Sequence, residues 1–186
     1  MEPQPGTAPQ PSVEGPLARI EPVLRDIFRH GGFRLTFAIR KGKPVAQGME
    51  APEFVVDLSG ADSDVLLQKH AALLDALEHL VLKAARLDEG LTGRIQFDCQ
   101  DWRWLRAQEL QLAARVAAER VLDTGDPFAL SPMSARERRI VHLALRDSPG
   151  VRTASDGFGP ERHVVILPAS SPGRSEKSSG NSGSRR

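Results

Sequence analysis

Two side chains suited to phosphate binding stand four positions apart in the C-terminal half of the chain. Arg138 and His142 belong to the run Ser-Ala-Arg-Glu-Arg-Arg-Ile-Val-His-Leu-Ala-Leu at residues 134–145. Because positions i and i+4 share one side of a helix, the two side chains should lie next to each other. A guanidinium presents a planar set of N–H donors to phosphate, and an imidazole hydrogen-bonds or stacks on a base. The pair indicates a nucleic-acid contact, although an ordinary solvated helix face would show the same spacing.

The element that must position this pair is a well-marked helix. Ser134 and Glu137 have the S-x-x-E spacing of a capping box, in which each side chain accepts a hydrogen bond from a backbone N–H group of the first turn. Pro149-Gly150 ends the segment. The apolar positions predict a buried stripe that leaves Arg138 and His142 pointing outward, and they are Ile140, Val141, Ala144 and Leu145. Two strands are predicted next, over residues 151–155 and 162–167, joined by a loop.

These residues resemble the R-3-H domain, which is named for an Arg and a His separated by three residues. The sequence Pro-Met-Ser at 132–134, the run Glu-Arg-Arg-Ile-Val-His at 137–142, and a Gly-Pro-x-Arg turn before a Val-Val-Ile strand are similar to the C-terminal domain of the Jag proteins. The Jag proteins are SpoIIIJ-associated and are also called KhpB or EloR. The resemblance covers residues 128–168 and implies binding of single-stranded RNA or single-stranded DNA, with a link to cell elongation, division or the envelope.

Further contact residues are expected around the pair. In the Jag proteins the turn before the last strand usually reads Asn-Arg-Arg, whereas here Glu161 and His163 flank one Arg. This part of the expected contact surface therefore carries less positive charge. Phe158, between two glycines, could stack on a base or pack over the small sheet. The supporting candidates for nucleic-acid binding are Arg139, Arg152, Arg162 and His163.

The N-terminal half has its own order of elements. Helical spacing over residues 17–28, alternating apolar residues at 33–39 and 54–58, one long or two short helices within 61–89, and alternation at 95–99 predict helix, strand, strand, helix, helix, strand. This indicates an α+β fold. Given the resemblance to Jag, the order is similar to a type II KH domain, followed by an R-3-H domain with a small sheet and two helices.

The loop that a KH domain uses for RNA is altered in this sequence. A KH domain clamps the nucleic-acid backbone with a G-x-x-G loop. Here the glycine positions hold Gln68 and Ala71, with Lys69 and His70 between them. We expect the added Cβ atoms to weaken RNA binding and the helix to continue past Gln68. The alternative function is a protein-interaction adaptor, in which the KH-like domain forms a homodimer or binds a protein partner.

Composition limits the remaining possibilities. The formal net charge of +1 excludes a bulk polycation, and no apolar run is long enough to span a membrane. The single cysteine, Cys99, and the five scattered His residues show no metal-ligand spacing, and no catalytic or cofactor motif is present, so we expect no enzyme activity, no metal and no cofactor. We expect a cytoplasmic protein with a disordered Pro-rich lead at 1–16, a KH-like domain at 17–100, an R-3-H domain at 101–170 and a disordered Ser/Gly/Arg tail at 171–186.

Overall fold

The computed structural model describes residues 14–169. The predicted tail at 171–186, and residues 1–13 of the predicted lead, lie outside the described residues. Helix α1 (Glu14–Gly31) includes the last residues of the predicted lead, so the predicted start at Leu17 was wrong. A proline is tolerated at position 16 because the first backbone N–H groups of a helix have no acceptor within it.

The described residues fall into two compact units that divide between Gln108 and Glu109. We call residues 14–108 the first unit and residues 109–169 the second unit. The sequence-based boundary lay between residues 100 and 101, at the end of a strand. The division by compactness falls within helix α4 (Trp102–Thr124).

The first unit is a three-stranded sheet with helices. After α1 its elements are β1 (Leu35–Lys41), β2 (Phe54–Gly60), α2 (Ser63–Ala84), α3 (Glu89–Thr92) and β3 (Ile95–Cys99). The strands are arranged in the order β1-β2-β3; β1 and β2 are antiparallel, whereas β2 and β3 are parallel. Along the chain the elements therefore follow as helix, strand, strand, helices and strand.

The core of the first unit lies between α1, α2 and the sheet. Leu24 from α1, Leu74 from α2 and Phe97 from β3 are completely buried in one cluster. All five residues of β3 are buried, including Gln96 and Asp98. Cys99, at the end of this strand, is also completely buried, and burial raises the pKa of its thiol.

Helix α2 is interrupted at the loop singled out by the sequence. Lys69, His70 and Ala71 have φ of 51°, 58° and 60°, in the left-handed region, and Gln68 is extended. The expectation that the helix continues past Gln68 was therefore wrong. Non-glycine residues enter the left-handed region at an energetic cost, and burial of the Ala71 side chain helps to hold the chain there.

Side chains of the first unit fix the beginning of α4. The carboxylate of Asp98 accepts hydrogen bonds from the backbone N–H groups of Cys99 at 2.9 Å and Arg103 at 3.2 Å, and so caps the first turn of α4. Arg103 in turn donates to the carbonyl of Phe97 at 2.6 Å and to Glu78 at 2.9 Å. The start of α4 is thereby attached to both β3 and α2.

The second unit contains the remaining part of α4, helix α5 (Ala135–Ala144) and a second sheet. Its strands are β4 (Phe128–Ala129), β5 (Val151–Asp156) and β6 (His163–Pro168), with a 3-10 turn at Gly159–Glu161. The order is β4-β6-β5 and both pairings are antiparallel. The mixed α/β character was predicted and is confirmed. The short strand β4 was not predicted, because two residues are too few to show an alternating pattern.

Small residues on α4 allow close packing in the second unit. Ala114, Ala117 and Val121 are buried along one side of the helix. On the neighbouring elements, Ile140 and Val141 of α5 and Ile166 of β6 are also buried. The apolar positions predicted for α5 are therefore mainly in the core, which leaves its other side for the polar residues described next.

Candidate nucleic-acid interface

Helix α5 begins with the predicted capping box. The Ser134 hydroxyl accepts a hydrogen bond from the backbone N–H of Glu137 at 3.3 Å, and the Glu137 carboxylate accepts one from the backbone N–H of Ser134 at 2.8 Å. These two bonds satisfy N–H groups that would otherwise lack acceptors. The cap fixes the first turn, and with it the direction in which Arg138 leaves the helix.

Arg138 is half-buried, and a backbone carbonyl five residues earlier in the chain holds its side chain. Its guanidinium Nη1 donates a hydrogen bond to the carbonyl oxygen of Met133 at 3.0 Å. A guanidinium has five N–H donors, so this bond occupies one of them. Arg138 thus has a restrained orientation while most of its donors remain for a ligand.

His142 lies against the edge strand β5. Its Nδ1 is 2.7 Å from the hydroxyl of Thr153, and its Nε2 is 3.0 Å from the hydroxyl of Ser155. The sequence placed both members of the pair outward, but His142 is half-buried, because alternate residues of β5 present their hydroxyls to it. Thr153 and Ser155 were not predicted as site residues. Their signal was the pair of hydroxyl residues two positions apart on the strand after the Arg/His helix.

The environment of His142 favours the neutral imidazole. Burial lowers the pKa of His142 below its ordinary value, and the positive charge of Arg138 lowers it further. A neutral imidazole has one N–H donor and one acceptor nitrogen. A hydroxyl both donates and accepts, so Thr153 and Ser155 match either tautomer. The arrangement therefore makes His142 a positioning residue between α5 and β5.

The supporting candidates lie on α5, on β5, and where the turn after β5 runs into β6. Arg139 follows Arg138 on α5 and is exposed, and Arg162 is exposed at the end of the turn before β6. Arg152 is exposed on β5, but alternation places it on the strand face opposite to Thr153. The Nδ1 atom of His163 is 2.9 Å from the carbonyl oxygen of Glu161. The structure brings together Arg138, His142 and the two hydroxyls.

Phe158 is the most exposed large apolar residue in residues 14–169, with 92% of its surface accessible. The prediction left open whether it packs over the sheet or faces outward. The ring does not pack over the sheet.

The altered loop of the first unit presents two polar side chains. Lys69 and His70 are exposed, as is Gln68, whereas Ala71 is buried. Three successive left-handed residues produce a sharp turn without any glycine. The chain therefore makes the turn that glycine would favour, with the two central side chains directed to the surface.

The described part of the chain offers neither a metal site nor a membrane span. Within residues 14–169, no group of three His, Cys, Asp or Glu residues is arranged to hold a metal ion. No helix in the same range is both long and apolar enough to cross a membrane.

Comparison with known proteins identifies a family match that includes the Arg/His helix. Residues 108–168 match the family model of the R-3-H domain. The chain is similar to the RNA-binding protein KhpB of Clostridium symbiosum, with 36% identity over 114 residues, which is 61% of this chain and 51% of the relative. For KhpB of Bacillus subtilis (strain 168) the identity is 32% over 111 residues, or 59% of this chain and 53% of the relative. For KhpB of Lactiplantibacillus plantarum the identity is 31% over 102 residues, which is 55% of this chain and 32% of the relative.

The chain spans about half the length, or less, of these curated relatives. The matched R-3-H segment includes Arg138, His142, Thr153, Ser155 and Phe158. Residues 108–168 of the chain thus match the R-3-H domain, and the chain resembles the Jag, or KhpB, RNA-binding proteins over the matched part of its length.

Proposed function

We propose that this chain is a non-catalytic RNA-binding protein whose R-3-H domain makes the main contact, and that it acts in the cytoplasm. The observation that carries the proposal is the placement of Arg138 beside His142 on a capped helix, within a segment that matches the R-3-H family. The relatives that bear the name RNA-binding protein support RNA as the ligand.

The site offers three groups with different roles. Arg138 donates charge-assisted hydrogen bonds to a phosphate, with its orientation held by the carbonyl of Met133. His142 holds Ser155, whose exposed hydroxyl adds a polar group to the same site. Arg139 and Arg162 are exposed on α5 and before β6, and their charges attract the phosphates of neighbouring nucleotides, with Arg152 and His163 as further candidates. No group in this arrangement is required to break or form a covalent bond.

Replacement of Arg138 tests the proposal directly. Arg138→Ala should weaken binding of a short fluorescein-labelled single-stranded RNA about tenfold to hundredfold, because a hydrogen bond to a charged group contributes about 1.5–3 kcal/mol. The measurement is fluorescence anisotropy with the full chain. Single-stranded DNA of the same sequence, measured in parallel, distinguishes a preference for RNA from general binding of single strands.

Arg115→Ala is the matched control for this experiment. Arg115 is an exposed Arg on α4 in the same unit, so its replacement removes the same charge away from the site. It should change the affinity less than about threefold. Equal affinities of the parent, R138A and R115A, with equal melting temperatures, would exclude Arg138 as the contact.

For residues 17–100 we propose a type II KH-like domain with weakened RNA binding. The element order and the sharp turn at Gln68–Ala71 support the KH-like assignment. The Cβ atom of Gln68 and the absence of glycine at both positions support weaker contact with a phosphate backbone. The double variant K69A/H70A should therefore alter RNA affinity much less than R138A does.

The alternative function, a dimer or protein-interaction adaptor, is favoured by one feature of the first unit. An apolar groove of about 170 Å³ lies between α1, the start of β1 and α2, and its lining includes Ile27, Phe33, Leu66, Leu73, Leu77 and Leu80. Leu73 and Leu80 are exposed at its margin. If this groove joins two copies, light scattering should show a dimer for the parent and a monomer for L73D/L80D. A monomeric parent would exclude the homodimer.

A further inference from the structure

The loop between β5 and β6 displays an aromatic ring. Phe158 lies between Gly157 and Gly159, which have φ of 83° and 53°. The other six Phe residues of the chain are buried or half-buried, so Phe158 differs from them in having almost no packing partner. Its ring contributes little to the core and is accessible to a ligand from several directions.

Hydrogen bonds donated by backbone N–H groups hold the loop in one conformation. The N–H of Gly157 donates to the Asp156 carboxylate at 2.8 Å, and the N–H of Glu161 donates to the carbonyl of Phe158 at 3.2 Å. A Cβ atom on Gly157 would lie 2.8 Å from the carbonyl oxygen of Glu161, so the loop closes tightly at this point. Because the backbone under Phe158 is already ordered, a ligand that contacts the ring has little ordering entropy to overcome.

The surroundings of the ring favour an unpaired base over a protein surface. Asp156, Glu161 and Arg162, which flank Phe158 in this loop, are polar and exposed. A specific protein interface needs about 1,000 Å² of buried surface with an apolar centre, and a single ring among polar groups does not provide it. An unpaired base needs only one ring face, together with a cation for the adjacent phosphate. The exposed guanidinium of Arg162 supplies that cation.

The loop is also close to the phosphate contact along β5. Phe158 follows Ser155, whose hydroxyl is bonded to His142, by three residues. Three residues cover at most about 10 Å even when fully extended, so Phe158 lies within that distance of Ser155 along the backbone. A strand of a few nucleotides that is held at Arg138 and Ser155 therefore reaches the loop.

We propose that Phe158 is a base-stacking residue of the R-3-H domain and makes the site selective for unpaired bases. This inference rests on the proposed RNA-binding function and deepens it. Stacking on one ring tolerates any base, but it requires that the base be out of a duplex. The site accordingly discriminates single strands from double strands through Phe158, whereas Arg138 contributes equally to every base sequence.

Variants of Phe158 and abasic RNAs, tested separately and together, measure the stacking contribution. Phe158→Ala in the full chain should weaken binding of a short single-stranded RNA about tenfold, and Phe158→Trp should restore the affinity, as measured by anisotropy. Replacing the bases one at a time by abasic sites should lower the affinity of the parent at one position. The same abasic RNA should bind F158A no more weakly than the intact RNA does.

Leu112→Ala is the matched control, since Leu112 is an exposed apolar residue on α4 in the same unit. It should leave RNA affinity unchanged, and F158A should keep the melting temperature of the parent. The stacking role is overturned if F158A binds like the parent while R138A binds weakly. If neither change alters the affinity, Arg138 is excluded as the contact as well. Loss of self-association in F158A with unchanged RNA affinity would make the ring a protein contact and also overturn the proposal.

Discussion

His142 has a hydroxyl partner at each ring nitrogen. Thr153 and Ser155 lie on β5 and the imidazole lies on α5, so the two hydrogen bonds connect a helix to an edge strand. Burial and the charge of Arg138, rather than these bonds, oppose protonation of the ring. A residue that resembles a direct phosphate ligand in the sequence therefore also stabilises the second unit.

The stability of the second unit should depend on pH through His142. The pKa of His142 is lowered in the folded chain, while an unfolded His titrates near 6.5. As the pH falls below about 6.5 the unfolded chain gains a proton that the folded chain resists, so the free energy of unfolding decreases. His142→Gln should reduce this decrease. Melting temperatures of both proteins from pH 8 to pH 5 measure the difference.

The pH 8 values provide the control for that comparison. Any difference there reports the loss of hydrogen bonds in H142Q and is subtracted before the slopes are compared. Parallel pH profiles for the parent and H142Q would show that His142 is not the group responsible.

Some of these residues could be predicted and others could not. The capping box of Ser134 and Glu137 is local, since both partners lie within one helical turn, and its spacing is visible in the sequence. The contacts of His142 depend on how β5 lies beside α5. The sequence indicates both elements but not which strand residues face the imidazole, so Thr153 and Ser155 were missed.

Among the elements, α2 is unusual in turning sharply without glycine. Lys69, His70 and Ala71 occupy the left-handed region in succession. For residues other than glycine this conformation costs about 1–2 kcal/mol each. The fold therefore stabilises the turn against the local preference of its residues, which is why reading propensities predicted a continuous helix here.

Glycine at an exposed position of the turn should stabilise the first unit. His70→Gly relieves the left-handed conformation and should raise the free energy of unfolding by about 0.5–1 kcal/mol, after allowance for the greater entropy of glycine in the unfolded chain. His79 is an exposed His in the helical part of the same element, and His79→Gly should lower the free energy of unfolding by about 0.5 kcal/mol. Urea unfolding followed by tryptophan fluorescence compares the two variants, and destabilisation of equal size in both would contradict the left-handed assignment.

For the whole molecule, the positions of the charged residues say more about nucleic-acid binding than the net charge does. The net charge is +1, and residues 101–170, which include the segment that matches the R-3-H domain, combine ten Arg with nine acidic residues. Such a chain does not attract nucleic acid through bulk charge. Under the proposed function, binding depends on where a few cations, above all Arg138, are held.

The dependence of RNA binding on salt should therefore be moderate. If about four phosphates are neutralised on a single strand, the slope of log affinity against log salt is near −3, which is roughly a fiftyfold loss between 50 and 200 mM salt. Arg138→Ala should reduce the slope by about 0.7, whereas F158A should leave it unchanged because stacking releases no counterions. Anisotropy titrations over this salt range measure the slopes, and a slope near zero would exclude phosphate contacts.

Across the whole chain, the sequence predicted the order of helices and strands better than the residues at which they begin and end. Periodic apolar residues identified α5 of the second unit and all three strands of the first, because each buries a repeating face. The two-residue strand β4 and the start of α1 at Glu14 leave no such repeat. Their positions depend on tertiary contacts and on the freedom of helix ends.

The burial of Cys99 makes the first unit accessible to thiol chemistry only when it opens. Cys99 is the one cysteine of the chain, it lies in the core at the end of β3, and burial raises its pKa. An alkylating reagent reacts with the thiolate, so labelling in native buffer proceeds through transient opening of this unit. The rate of modification, followed by mass spectrometry, thus reports opening of the first unit without an engineered label. The second unit contains no cysteine, so it does not contribute to this signal.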